Sequence, residues 1–151
     1  MPLLVQSCSA TKSDAENPVP ALDRYEGYFY KIIKKAKREG ELDPGIDICI
    51  LSAEHGLLEP DDMITAYDRR MDTDRASELC AEVVSALRKK VRRGGYDQVV
   101  VNMGRAYRQA IDGFEHGLDI EVRYIEAGGI GKKGHELKQL LRTSEPAQTS
   151  V

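Results

Sequence analysis

The chain has 151 residues, of which 41% are hydrophobic and 31% are charged. This composition is typical of a globular protein, and the length suffices for one continuous hydrophobic core. The formal net charge of −3 excludes a general electrostatic attraction to nucleic acid, so any basic contact has to be local.

The sequence predicts one domain without a membrane partner. No apolar run approaches the roughly 20 residues of a membrane-spanning helix, and the start, MPLLVQSCSA, lacks the basic segment of a signal peptide. We therefore expect a cytoplasmic protein in which residues 1–143 form a single α/β domain and the polar residues 144–151 form a flexible tail. The pattern indicates no particular oligomeric state.

The three cysteines, Cys8, Cys49 and Cys80, are spaced neither as a disulfide framework nor as a zinc site. Cys49 falls in a predicted strand and Cys80 on the apolar face of a predicted helix, so we expect both to be small buried side chains. The three histidines show no metal-binding spacing either. The sequence thus predicts neither a metal site nor a cofactor.

Short apolar runs rich in β-branched residues recur along the chain and predict strands. They are Pro2–Gln6, Ile46–Leu51, Asp97–Val101 and Ile120–Ile125. Segments with apolar residues at helical spacing follow each of them. This alternation predicts an α/β fold, namely a single three-layer α/β/α domain with a mainly parallel sheet of about four strands.

The predicted helices are Ala21–Glu39, a long one capped by Thr73 or Asp74 and stopped at Gly94-Gly95, one that carries Tyr107 and Phe114, and a short one that carries Leu137 and Leu141. In the first helix, Tyr25, Tyr28 and Phe29 form a stripe that we expect in the core rather than as a surface for stacking bases. Basic clusters near the ends of the first two helices complement the helix dipole and are expected to face solvent.

Polar and small residues follow each predicted strand, at Ser7–Lys12, Ser52–Gly56, Asn102–Arg105 and Glu126–Gly134. The carboxyl ends of parallel strands share one edge of a sheet, where α/β proteins bind ligands. We therefore predict a composite site at this edge, although strand-to-helix turns also favour Gly and Ser for backbone reasons. The expected binding residues are Ser7, Ser9, Thr11, Ser52, Gly56, Asp61, Tyr67, Asn102, Gly104, Arg105, Gly129, Gly131 and Lys132.

The connection after the second strand is unusually long and polar. It begins with Ser52–Gly56, which combines a serine, a carboxylate, an imidazole and a turn glycine, and it continues through Asp61 and Tyr67 to Met71. Irregular connections of about 20 residues are uncommon in compact domains and are usually functional.

Four side chains are the candidates for catalysis: Lys12, Cys8, Glu54 and His55. Cys8 is a candidate nucleophile that Lys12 or a helix end would activate. Lys12 itself becomes nucleophilic if it is removed from water, whereas most loop lysines are simply solvated. Glu54 and His55 offer an acid and a base, but adjacent residues rarely face the same way.

The segment Gly129–Gly134 matches the pattern G-x-G-x-x-G between a predicted strand and a predicted helix. A dinucleotide site is disfavoured because too little chain follows to supply a second strand and a ribose-binding acid. An anion cradle fits better, since backbone N–H groups at a helix start attract phosphate and Lys132 and Lys133 add charge. A plain tight turn is nearly as good an interpretation.

Two motifs together resemble a known family. They are Ser7-Cys8-Ser9 with Lys12 after the first strand, and Leu51-Ser52 through Gly56-Leu57, with Pro60 and Tyr67, after the second. This pairing is similar to an uncharacterised domain family related to the YaaA-like peroxide-stress proteins, and more distantly to the catalytic core of archaeosine synthase. The likeness covers about half of the chain.

The resemblance implies two kinds of function. YaaA-like proteins are associated with DNA binding and oxidative stress, whereas the archaeosine enzyme uses a lysine in a corresponding setting to attack a nitrile of a deazaguanine in transfer RNA. Lys12 is the matching lysine here. We therefore expect a domain that binds a nucleobase, nucleotide or nucleic-acid end at the strand ends, as a lysine-dependent enzyme or, alternatively, as a non-catalytic DNA-binding or stress-response module.

Overall fold

The computed structural model describes residues 2–8, 17–65, 67, 69–125 and 130–142. Within these ranges the strands are β1 (Pro2–Ser7), β2 (Val19–Pro20), β3 (Asp47–Ser52), β4 (Gly56–Leu58), β5 (Met63–Ile64), β6 (Gln98–Asn102) and β7 (Glu121–Tyr124). The helices are α1 (Ala21–Arg24), α2 (Tyr28–Arg38), α3 (Thr73–Gly94), α4 (Arg105–Gln109) and α5 (Ile130–Arg142). The predicted tail at residues 144–151 lies outside the described residues.

The central sheet has five strands in the order β4-β3-β1-β6-β7. The middle strand, β1, pairs in parallel with β3 on one side and with β6 on the other, and β6 pairs in parallel with β7. In this register Leu4 lies between Ile48 and Val100. All of the predicted strands are present, so the prediction of an α/β fold with a mainly parallel sheet is confirmed.

The fifth strand, β4, was not predicted and pairs antiparallel with β3. The turn between them depends on Gly56, whose φ of +77° lies in the left-handed region. It also depends on the Ser52 hydroxyl, whose Oγ accepts the backbone N–H groups of Glu54 and His55 at 3.2 and 3.0 Å. The connection expected to be irregular therefore starts as a hairpin. The sequence did not predict β4 because a three-residue strand is too short to give an alternating pattern.

The first predicted helix is interrupted. Helix α1 ends at Arg24, and Tyr25 is extended, with φ −91° and ψ 136°. Two side chains hold this break with three hydrogen bonds. Lys34 Nζ donates to the Tyr25 carbonyl at 2.7 Å, and the buried Arg24 guanidinium donates to the carbonyls of Asn17 and Ile64 at 2.9 and 3.1 Å. The prediction of one continuous helix over Ala21–Glu39 was wrong because these contacts outweigh the helical spacing.

Helix α3 differs from prediction at its start, and helix α4 differs in its length. The cap of α3 is Asp72, whose Oδ1 accepts the N–H of Arg75 at 2.8 Å, rather than Thr73 or Asp74. Helix α3 ends at Gly94 and is followed by the left-handed Gly95, so the predicted stop at Gly94-Gly95 is confirmed. Helix α4 is only five residues long and continues as turns, although Phe114 beyond it is still buried.

Two hydrophobic clusters form the core. Because side chains alternate along a strand, Leu4 belongs to one cluster, while Leu3 and Val5 belong to the other. The first cluster includes residues of α1, α2 and α5, and the second includes residues of α3 and of the segment 110–114. Among the described helices, none is long and apolar enough to cross a membrane.

Replacement of Gly56 tests whether this glycine is needed for the hairpin. We expect Gly56→Ala to lower the free energy of unfolding by about 1–2 kcal/mol, because an alanine in the left-handed region is strained. Gly131→Ala is the control: a Cβ there has no neighbour within 4 Å, and helix α5 favours alanine. Urea unfolding measures both variants, and equal stability of the two would contradict the assignment.

Candidate functional site

The carboxyl ends of β1, β3 and β6 lie at the same edge of the sheet. The direction in which successive strands are added across the sheet also reverses between these three strands. From β1 the chain moves outward to β3, but from β3 it returns across β1 to β6. The boundary between β1 and β6 is therefore the topological switch point, where connections leave to opposite sides and open a crevice. Residues that follow these two strands flank that crevice.

On the face of the sheet that carries Leu4, the side chains at this edge are polar instead of apolar. Gln6 and Asn102 are neighbours in the β1–β6 register and are 1% and 2% exposed. Asn102 Nδ2 donates to Gln6 Oε1 at 2.9 Å. Ser52, on β3, is likewise fully buried. Three adjacent strands thus end in hydrogen-bonding groups inside the protein.

On the face of the sheet that carries Leu4, tyrosine hydroxyls contact these strand ends. Ser52 Oγ donates to Tyr67 Oη at 3.0 Å, and the hydroxyls of Tyr67 and Tyr25 lie 2.5 Å apart. Tyr30 Oη donates to the Ser7 carbonyl at 2.8 Å. We call Cys8, Tyr25, Tyr30, Ser52, Tyr67 and Tyr107 the phenol cluster.

Cys8 connects the two sides of the switch point. It continues the ladder past β1, since its N–H donates to the Leu51 carbonyl at 2.9 Å. Its Sγ lies 3.0 Å from the hydroxyl of Tyr107, which is on α4 and follows β6. The thiol is half-buried. Cys8 and Tyr107 therefore bridge the connections that follow β1 and β6.

Burial keeps the phenols protonated. It raises the pKa of Tyr25 to about 12, although hydrogen bonds to Ser52 and Tyr67 lower that pKa in part. Burial is also the main reason that the pKa values of Tyr30, Tyr67 and Tyr107 are raised, and negative charge on the Cys8 thiol would raise them further. At neutral pH the cluster therefore offers hydrogen-bonding hydroxyls without a formal charge.

The structure brings several predicted residues together at this edge. Ser52 and Tyr67 bond directly, Cys8 and Ser7 contact phenols of the same cluster, and Asn102 follows on the adjacent strand. Gly104 and Arg105 also follow β6 directly and are exposed at the start of α4.

Glu54 and His55 contact different partners. The His55 ring lies edge-to-face with the Tyr67 ring, with centroids 5.3 Å apart, so the imidazole borders the phenol cluster. The Glu54 carboxylate is exposed and lies 3.7 Å from the Arg69 guanidinium. The backbone of Glu54 is fixed by Arg75, which donates to its carbonyl at 3.0 Å.

Asp61 is not brought to the strand ends. It is exposed and lines a cavity of about 380 Å³ together with Leu22, Ile46 and Asp47, beside the amino end of β3. The reason is the unpredicted strand β4, which runs antiparallel to β3 and carries the chain back along the sheet. Its inclusion as a partner of the other site residues was therefore wrong.

The glycine pattern falls partly inside helix α5. Gly131 and Lys132 lie in the first turn of this helix and are exposed. A Cβ at Gly134 would overlap the ring of Tyr28 on α2, so this glycine allows the two helices to approach each other. Four predicted site residues, Ser9, Thr11, Lys12 and Gly129, lie outside the described residues.

Sequence reasoning missed Gln6, Tyr25, Tyr30 and Tyr107 as site residues. Tyr25 and Tyr107 matched the apolar stripes of amphipathic helices, whereas Tyr30 was not part of a predicted stripe. The rings of all three pack in or against the core. Only their hydroxyls reach the strand ends. The available signal was chemical: a buried tyrosine needs a hydrogen-bond partner, and polar strand ends can supply one.

The chain matches a family model described as "Family of unknown function (DUF6884)" over residues 3–139. The protein belongs to this family. Its fold is also similar to the crystal structure of AF0587, a protein of unknown function, with a TM-score of 0.59 and 16% sequence identity. That alignment covers 99% of this DUF6884 chain and 46% of AF0587, so the chain spans less than half the length of that protein. No curated protein matches the sequence.

The raised tyrosine pKa values in this DUF6884 protein predict a loss of stability at high pH. An unfolded chain ionises Tyr25 near pH 10, whereas the folded protein does so near pH 12. The stabilisation by protonated Tyr25 is complete below pH 10 and decreases as the pH rises towards 12.

In Tyr25→Phe, the free energy of unfolding should therefore fall less steeply between pH 10 and 12 than in the wild type. Below pH 9 the two proteins should show parallel pH dependence, which serves as the internal control. Urea unfolding at a series of pH values measures this. Identical slopes above pH 10 would contradict the burial of the Tyr25 hydroxyl.

Proposed function

We propose that this α/β domain has a three-layer α/β/α architecture and that it binds a nucleobase, nucleotide or nucleic-acid end in the crevice between β1 and β6. The observation that carries the proposal is the contact of 3.0 Å between Cys8 Sγ and Tyr107 Oη, which places hydrogen-bonding groups from both sides at the switch point. In open α/β sheets this point is where ligands bind.

The chemistry of the described groups suits a planar, polar heterocycle. Hydroxyls and carboxamides pair with the edges of a base, and aromatic faces accept stacked bases. The rings of Tyr67 and His55 stand beside one another on the β3 side. On the β7 side, the Arg108 guanidinium lies 4.7 Å above the ring centroid of Tyr124, a pair that offers both a flat surface and a positive charge.

Catalysis by Lys12 is the finer part of the proposal. The resemblance to the archaeosine enzyme supports Lys12 as the reactive amine, with Cys8 and Ser9 beside it. Because the phenols of the cluster remain protonated, the basic group at the ligand would be the Lys12 amine and not a tyrosinate. The other role that the resemblance implies, in DNA binding or a stress response, needs no reactive lysine.

Substitution of Lys12 separates a reactive amine from a phosphate-binding charge. If Lys12 reacts with the ligand, Lys12→Ala and Lys12→Arg should both lose turnover while ligand affinity stays within a fewfold of wild type. If Lys12 holds a phosphate, Lys12→Arg should retain binding, Lys12→Ala should lose it, and the affinity should fall steeply with salt.

The measurement compares the wild type, Lys12→Ala and Lys12→Arg. It records the binding of a short oligonucleotide at two salt concentrations and detects any modified base by mass spectrometry. If both variants bind the oligonucleotide and act on it as the wild type does, Lys12 is not part of the site. Strong, salt-dependent binding without any modified base would favour the non-catalytic DNA-binding module.

Protection of Cys8 from a thiol reagent tests the location of the site. Cys8 and Cys80 are half-buried, whereas Cys49 is fully buried and burial raises its pKa to about 12. The reagent should therefore modify Cys8 and Cys80 faster than Cys49. A ligand in the crevice should slow modification of Cys8 and leave Cys80, on α3, unchanged.

Mass spectrometry of peptides from the labelled protein, with and without a mixture of nucleotides, measures the three rates. Cys80 is the matched control because its side chain is half-buried, as that of Cys8 is. Binding of a nucleotide without any protection of Cys8 would place the ligand elsewhere on the protein.

A further inference from the structure

Two buried carboxamides stand side by side at the switch point. Gln6 and Asn102 are neighbours across the β1–β6 pair, on the same face as Leu4 and Val100 one step earlier. Burial of a polar side chain costs free energy unless its hydrogen bonds are made, and a second apolar pair would extend the core equally well. The pair is therefore more polar than the fold requires.

The orientation of the pair is defined by its neighbours. Gln6 Nε2 faces the Ser7 carbonyl at 3.5 Å, so Gln6 Oε1 is the atom that receives Asn102 Nδ2 at 2.9 Å. With the described residues, Asn102 makes this single side-chain hydrogen bond. A carboxamide has two N–H donors and an acceptor oxygen. Within the described part of the chain, the Asn102 oxygen and its second N–H are therefore available to another molecule.

We propose that Asn102, held in place by Gln6, recognises the edge of a nucleobase at which a hydrogen-bond donor adjoins an acceptor. A carboxamide pairs with such an edge through two bonds, as asparagine does with adenine in nucleic-acid complexes. This inference rests on the proposed function and narrows it: the strand ends recognise the base itself rather than a phosphate.

Neighbouring groups are consistent with a neutral base. Cys8 lies two residues beyond Gln6, a step of about 7 Å along an extended chain. The polar groups at these strand ends include the Cys8 thiol, in contact with the Tyr107 hydroxyl, and the adjoining hydroxyls of Tyr25 and Tyr67. A phosphate would find no cation among these groups.

Ligand pairs test the inference on the wild-type protein. Each pair consists of a nucleoside and an analogue with a blocked edge: adenosine with N6,N6-dimethyladenosine, and uridine with N3-methyluridine. For the nucleoside that binds, we expect its blocked analogue to bind at least about fivefold more weakly, since a good two-bond contact contributes about 1–3 kcal/mol. Inorganic phosphate should not compete.

Nuclear magnetic resonance gives a direct readout. The side-chain NH₂ resonances of Asn102 and Gln6, identified by their absence in Asn102→Asp and Gln6→Glu, should shift on addition of the nucleoside and not on addition of phosphate. In Asn102→Ser, checked for folding by its thermal transition, the preference for the unblocked nucleoside should disappear.

The outcomes separate this inference from the proposed function. If nucleosides or nucleotides bind but blocked and unblocked forms bind equally and neither NH₂ resonance moves, the role of Asn102 is overturned while the proposed function stands. If no nucleoside, nucleotide or short oligonucleotide binds at all, both are overturned. Because the ligand pairs are measured on the wild type, misfolding of a variant cannot decide the result.

Discussion

The hydroxyl of Ser52 is the interaction on which the rest of the site depends. Its oxygen accepts two backbone N–H groups of the β3–β4 turn, and its proton goes to Tyr67. One buried atom therefore fixes both the hairpin and the position of the phenol cluster. A residue without a hydroxyl would leave the N–H groups of Glu54 and His55 without this acceptor and the Tyr67 hydroxyl without this donor. Three interactions are therefore lost with one side chain, and a polar group left unpaired away from water costs free energy.

The site lies where the hydrophobic core ends, at the carboxyl ends of the strands. Leu4, Ile50 and Val100 pack on one face, and the next residues of the same strands that face this way are Gln6, Ser52 and Asn102. The polar groups satisfy one another in part, and the large apolar clusters below them offset the cost of their burial. An uncharged interior of this kind limits nonspecific attraction to anions, in agreement with the net charge of the chain.

The sequence was sufficient for the parallel strands and their order of appearance, because buried parallel strands are nearly continuous apolar runs. It was insufficient for β4, whose three residues carry no periodicity, and this omission misplaced Asp61. For the site, strand-end residues such as Cys8 and Ser52 could be predicted from topology. The tyrosines could not, since a helical stripe does not show where a hydroxyl ends. The predicted stripe was also wrong for Tyr28, which is 44% exposed, and did not include the buried Tyr30.

The central position of β1 has a consequence for folding. The first strand of the chain lies in the middle of the sheet, and the bond between Gln6 and Asn102 joins residues 96 positions apart in the sequence. Contacts between distant residues slow folding because a long loop must close before they form. During synthesis one edge of β1 stays unpaired until β6 leaves the ribosome, whereas β3 and residues of α1, α2 and α3 that pack on its faces are made earlier. The two carboxamides are brought together when β6 pairs with β1, and β7 then completes the sheet.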